Sequence, residues 1–135
     1  MISYDTNILI YALEGTSPFA TAAKTVIQQG EQDGAVLSVL VWQELMTGAV
    51  MQGKGIDAKV ALALSELNIT RFVPVSKDIC KQSVALTRQY GKKIYGYDAI
   101  HLATAIEQKA DVFITNDKML LSLNIDELPI QGLNT

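Results

Sequence analysis

The sequence has one cysteine, one histidine, one tryptophan and three prolines, and charged residues make up only 19% of it. The lone Cys80 excludes an intrachain disulfide and fits a reducing compartment. With His101 as the single histidine, distant in sequence, the chain lacks the N/S ligand set that zinc prefers. The scarcity of proline, beside nine glycines, excludes a Pro-rich or collagen-like chain. There is no excess of positive charge either: 11 Lys and Arg stand against 14 Asp and Glu, a net charge of -3. That excludes a strongly basic nucleic-acid binder. It leaves nucleic acid open as a ligand, because a site that holds cations is acidic in its own sequence. Long apolar runs are absent too. The stretch Ala35 to Trp42 falls far short of the roughly 20 residues that cross a bilayer. Met1 to Leu13 has no basic region before its apolar stretch and carries Asp5, unlike a signal peptide. The expectation is a soluble, cytoplasmic protein without membrane attachment.

What is present is apolar and ordered. Hydrophobic residues make up 49% of 135. A chain of that size and composition buries enough surface to fold as one domain, expected here over 1–135. Its pattern is alternation. Met1 to Tyr4 reads as a strand and Thr6 to Leu13 as a helix. Pro18 to about Gln29 reads as a second helix, ended by Gly30 and Gly34. Ala35 to Leu37 is a second strand. Ser38 caps a helix from Val39 to Gln52 whose stripe is Trp42, Leu45, Met46 and Ala49. After the turn Gly53-Lys54-Gly55, Asp57 caps a further helix to about Leu67. Arg71 to Val75 is a third strand, and Ser76 caps a helix to Tyr90. Tyr97 to Lys109 is helical, Val112 to Thr115 a fourth strand, Lys118 to Leu123 a short helical piece and Pro129 to Gln131 an edge strand. Strands alternating with helices predict an α/β chain with a central parallel sheet of four to five strands, covered on both faces.

Sites in such sheets lie outside the carboxyl ends of the strands. The first strand runs into Asp5-Thr6-Asn7 and the fourth into Thr115-Asn116-Asp117. Glu44 lies early in the helix after the second strand, and Asp98 opens the helix Tyr97 to Lys109. Capping is the ordinary alternative for Asp5 and Asp117, and more so for Asp98. Glu44 is too deep in its helix to cap, adjoins the apolar stripe and has no basic partner along that helix. A divalent metal is its expected partner. Clustered carboxylates raise one another's pKa, a cost that a cation removes. Oxygen donors suit Mg²⁺ or Mn²⁺, the equipment of phosphodiester hydrolysis.

Taken together in this order and spacing, Asp5-Thr6-Asn7, Trp42-Gln43-Glu44-Leu45, Tyr97-Asp98-Ala99-Ile100-His101-Leu102-Ala103-Thr104-Ala105 and Thr115-Asn116-Asp117 carry a resemblance. The chain resembles the PIN-domain family, and within it the VapC-type toxins of toxin–antitoxin pairs, over Ile2 to about Gly132. The resemblance implies a three-layer α/β/α sandwich and a metal-dependent endoribonuclease. It implies metal ligands at Asp5, Glu44, Asp98 and Asp117, with helpers at Thr6, Asn7 and Thr115. It also implies Mg²⁺ or Mn²⁺, a homodimer and a cognate antitoxin. Asn116 departs from the basic residue that many members carry there, which weakens a phosphate contact at that point.

Other residues are weighed beside these. His101, one turn after Asp98, is a packing or supporting residue that shares the acids' side of the helix, with substrate contact as the alternative. Lys92, Lys93, Tyr95 and Tyr97 form a basic-aromatic stretch that is either a solvated loop or a grip on RNA phosphate and base. Cys80 has no local signature of a nucleophile. Tyr11 and Leu62 are apolar residues left over from their helical stripes, expected in an antitoxin groove. Three rivals remain: a receiver module, a phosphatase or dinucleotide enzyme, and a PIN scaffold that only binds RNA or protein. The first places its acids differently, the second needs a glycine-rich phosphate loop, and the third does not need all four acids. A housekeeping PIN ribonuclease is the alternative to a toxin.

Overall fold

The computed structural model describes residues 1–52 and 71–133. The expected Gly53-Lys54-Gly55 turn and the helix Asp57 to Leu67, with Leu62, lie outside the described residues. Five short strands, β1 (Ile2–Tyr4), β2 (Val36–Ser38), β3 (Arg71–Val73), β4 (Val112–Ile114) and β5 (Ile130–Gln131), alternate with helices. The helices are α1 (Thr6–Glu14), α2 (Ala20–Asp33), α3 (Val39–Gln52), α4 (Lys77–Tyr90), α5 (Gly96–Glu107) and α6 (Lys118–Leu121), and Gly91–Lys93 forms one 3₁₀ turn between α4 and α5.

Every pairing is parallel. β1 pairs with β4 in the register Ile2 to Val112, and β4 pairs with β5. β2 pairs with β3, Val36 opposite Arg71. A single parallel bridge, Ile2 to Ala35, joins the two ladders. The order is therefore β3-β2-β1-β4-β5, so the chain moves outward from β1 and then crosses back to β4. The order reverses between β1 and β4, and the crevice at their carboxyl ends is the place where such sheets bind ligands.

The central strands β1, β2 and β4 are buried on both faces, as the interior of a parallel sheet requires, while the edge strands β3 and β5 are more open. Successive side chains alternate between two cores. Ile2, Tyr4, Leu37 and Ile114 pack with Ile8, Leu9, Ala23, Ile27, Val41 and Leu45 of α1, α2 and α3. Val36 and Phe113 pack on the other side with Ile79, Leu86, Leu102, Ala103 and Leu120. Helix, sheet and helix form three layers, the α/β architecture that the alternation predicts.

Helix starts follow the sequence. Ser76 Oγ accepts from Ile79 N at 3.1 Å, and Ser38 Oγ accepts from Leu40 N at 3.1 Å. Two readings need correction. Gly30 does not end the second helix, which continues to Asp33. Gly30 is instead a close-approach position, where an added Cβ would stand 3.1 Å from the Ala35 Cβ. The α3 stripe is also shifted: Val41 and Leu45 are buried, while Trp42 is 43% exposed. Alternating contacts with sheet and neighbouring helices narrow the buried face beyond what spacing alone reveals.

Candidate active site at the β1–β4 switch point

Asp5 leaves β1 and caps α1. Its Oδ1 accepts from Thr6 N at 2.8 Å, and its Oδ2 accepts from the Thr115 hydroxyl at 3.0 Å. Thr115, fully buried after β4, also accepts at Oγ1 from Asp117 N at 3.0 Å. One hydroxyl thus ties together the acids that follow the two central strands. Asp117 caps α6, with Oδ1 accepting from Met119 N and Leu120 N at 2.8 and 3.2 Å.

Glu44 enters from α3. Its Oε1 accepts from the Thr6 hydroxyl at 3.0 Å and lies 2.6 Å from His101 Nε2. The partner that the helix itself could not offer comes from α5 and α1. No spacing in the sequence announces a contact spanning 57 residues. His101 is 3% exposed. Its contact with Glu44 accords with the packing or supporting role expected of it ahead of substrate contact. Its Nδ1 is buried with no hydrogen-bond partner among the described residues.

Asp98 lies in the first turn of α5, half-buried. The expectation that it is the most natural cap of the three is reversed. The N-cap of α5 is Tyr95, with no side-chain bond, whereas Asp5 and Asp117 do cap. Among the described residues neither oxygen of Asp98 accepts a hydrogen bond.

The acids act on one another through their charges. Burial pushes the Asp98 carboxyl above its ordinary value, and the charges of Asp5, Asp117 and Glu44 push it further, with His101 opposing. Burial also raises Asp5, aided by Glu44, while the Thr115 and Thr6 hydrogen bonds and His101 pull it back. The supporting residues divide. Thr6 and Thr115 are in the cluster; Asn7 is exposed. Asn116 turns aside and donates from Nδ2 to the Tyr11 hydroxyl at 3.3 Å. Tyr11 also packs on Phe19, ring centroids 5.2 Å apart, so it is not left over. Lys93 is exposed, as are Tyr95 and Tyr97, and Lys92 lies in the 3₁₀ turn. Cys80 is exposed on α4.

The donor set fits a hard cation. Both recorded contacts of Glu44 use Oε1, and both side-chain contacts of Asp117 use Oδ1. Each carboxylate has about four lone-pair sites, so acceptor capacity remains at every acid. Among the described residues no three His, Cys, Asp or Glu side chains already share a coordination point.

The profile of the PIN domain family matches residues 2–125. The chain belongs to the PIN domain family. Similar solved structures carry the same fold. One is a toxin–antitoxin complex from Klebsiella pneumoniae, at TM-score 0.68 and 29% identity over 96% of this chain and 100% of that one. VapBC2 from Rickettsia felis, bound to a promoter DNA fragment, has TM-score 0.73 and 18% identity over 99% and 100%. FitAcB from Neisseria gonorrhoeae has TM-score 0.73 and 18% identity over 97% and 96%. No curated protein is significantly similar in sequence. Among the described residues of this PIN chain, no helix is long and apolar enough to cross a membrane.

Proposed function

We propose that this PIN domain is a metal-dependent endoribonuclease and the toxin of a toxin–antitoxin pair. Asp5, Glu44, Asp98 and Asp117 would hold Mg²⁺ or Mn²⁺. The observation that carries the reading is the mutual charge of acids arriving from β1, α3, α5 and β4 at the switch point. A structural capping role accounts for Asp5 and Asp117 but not for Asp98 or Glu44. A bound divalent ion lowers the pKa of water and offsets charge on the leaving oxygen.

The chain's own residues supply order. Thr6 N and the Thr115 hydroxyl fix both oxygens of Asp5, and the Thr6 hydroxyl and His101 fix one oxygen of Glu44. Catalysis gains when such groups are oriented before substrate arrives. The toxin reading is supported by the neighbours, which are toxin–antitoxin, VapBC and FitAB assemblies. It brings a homodimer and a small antitoxin as partners, and an arginine of that antitoxin would suit the acids because its fork pairs two carboxylate oxygens. The purified protein should cleave RNA with Mg²⁺ or Mn²⁺ and stop with EDTA. Expressed alone it should arrest bacterial growth, and the Asp5→Ala variant should not. Cleavage undiminished after exhaustive chelation overturns the nuclease reading. Normal growth with soluble, RNA-cleaving protein overturns only the toxin reading and leaves a housekeeping ribonuclease.

A further inference from the structure

Tyrosine is used in two ways in this chain. Of five tyrosines, Tyr4 is buried, Tyr11 packs on Phe19, and Tyr90 donates its hydroxyl to Asn124 O at 2.9 Å. Tyr95 and Tyr97 do neither. They are 69% and 46% exposed, and neither hydroxyl bonds to another described residue. Both stand within three positions of Asp98.

Their segment is held firmly. Between Lys93 and Tyr95 the Ile94 side chain is fully buried in the core beneath α4 and α5. The Ile94 carbonyl accepts from the Thr87 hydroxyl at 2.8 Å, and its N–H donates to Gly91 O at 3.2 Å. Gly91 and Gly96, with φ of +69° and +60°, turn the backbone on either side. Anchored at Ile94, the chain directs Lys93 and Tyr95 outward. Tyr97 is placed by the helix. It precedes His101 by four residues, so the two share a face of α5. His101 touches Glu44, so Tyr97 stands one turn outward from the acids, on their side. Trp42, the other exposed aromatic, is two residues from Glu44 on α3, and residues at that separation do not face each other.

We propose that Tyr95 and Tyr97, with Lys93, form a stacking platform for unpaired nucleotides at the rim of the acid cluster. The proposal rests on the ribonuclease reading above. Exposed rings beside a cation are the equipment that binds single strands, because every base has a π-face and every nucleotide a phosphate. Paired bases in a duplex cannot splay onto such rings. Rigid aromatic groups also lose little conformational entropy on binding, and Ile94 has already fixed this segment.

The test compares the full chain with Tyr95→Ala, Tyr97→Ala, Tyr95→Phe and Tyr97→Phe. Fluorescence anisotropy in EDTA measures affinity for a short labelled unpaired oligoribonucleotide and for a hairpin of the same composition. Each alanine variant should bind the unpaired strand about 5- to 100-fold more weakly, the usual cost of losing one stack. Each phenylalanine variant should stay within about twofold, since it keeps the ring. The wild type should prefer the unpaired strand. Folded alanine variants that bind like the wild type, or a hairpin bound as tightly as the single strand, overturn the proposal and leave the tyrosines to a protein partner. The two readings separate cleanly. Tyrosine-dependent binding without any Mn²⁺-supported cleavage removes the nuclease and keeps the platform. Cleavage with KM unmoved by either alanine change does the reverse.

Discussion

The β1–β4 half of the acid cluster and the α3–α5 half are built on different principles. On the sheet side, Asp5 and Asp117 are fixed by backbone. Each caps a helix, and the Thr115 hydroxyl spans the two. On the helical side, Glu44 is held by side chains alone, the Thr6 hydroxyl and His101. Asp98 is held by no hydrogen bond among the described residues and feels the other acids as charge. The comparison teaches that one cluster joins an edge set by strand ends and helix caps to an edge set by side-chain contacts and charge. The sheet half doubles as helix capping; the helical half does not.

Activity should depend on both halves, and the largest effect should come from Asp5. It is buried, fixed at both oxygens, and central to the switch point. Asp5→Ala should lower RNA cleavage at saturating Mn²⁺ by on the order of 10²–10³ or more, the scale set by losing a preorganised electrostatic group. Initial rates on a labelled RNA measure this. A variant within about tenfold of wild type would mean that the sheet side is scaffolding and the chemistry sits elsewhere.

The next effect sharpens the link between the halves. His101 orients Glu44 from a buried position, so His101→Ala should weaken Mn²⁺ binding about 10- to 100-fold, as losing a group that orients a ligand does. Calorimetric titration with the metal alone reads it out without any RNA. If the variant binds Mn²⁺ as the wild type does, His101 is a packing residue and the Glu44 contact is incidental to the metal.

The legibility of these halves differs in the same way. The sheet side can be read because Asp5 and Asp117 directly follow apolar runs, and a strand end fixes where the next residue stands. The alternation also predicts the parallel sheet and its two covered faces, since Val36-Leu37, Phe72-Val73 and Val112-Phe113-Ile114 are apolar at consecutive positions. The helical side is harder. Spacing put Trp42 on the buried stripe of α3, yet the core contacts of Val41 and Leu45 rotate it out. The partner of Glu44 lies 57 residues away, beyond any local periodicity. Asp98 looked like a cap because it opens a helix, but α5 begins at Gly96, and the side chain two positions later is free for the cluster. Helix termini shift by a residue or two, and that shift decides between capping and display.

The smallest effect is on stability, and its sign should differ between the halves. Asp117 accepts from Met119 N and Leu120 N. Asp117→Ala should therefore destabilise the metal-free protein by about 1 kcal/mol through the lost cap. Asp98 makes no cap and its folded pKa is raised. A raised carboxyl stabilises the folded state at a pH below its unfolded value near 4, where it is protonated. That contribution is lost as pH rises through the folded value, so at neutral pH the ionised Asp98 works against folding. Asp98→Asn removes the titration while keeping the shape. In EDTA at pH 7 it should raise Tm by on the order of a few degrees, and the gain should vanish below about pH 4. Calorimetric scans of the two variants across pH decide the matter. Should Asp98→Asn lower Tm at neutral pH while Asp117→Ala leaves it unchanged, the division into a structural edge and a free edge is wrong. Asp98 would then be the residue that the fold depends on.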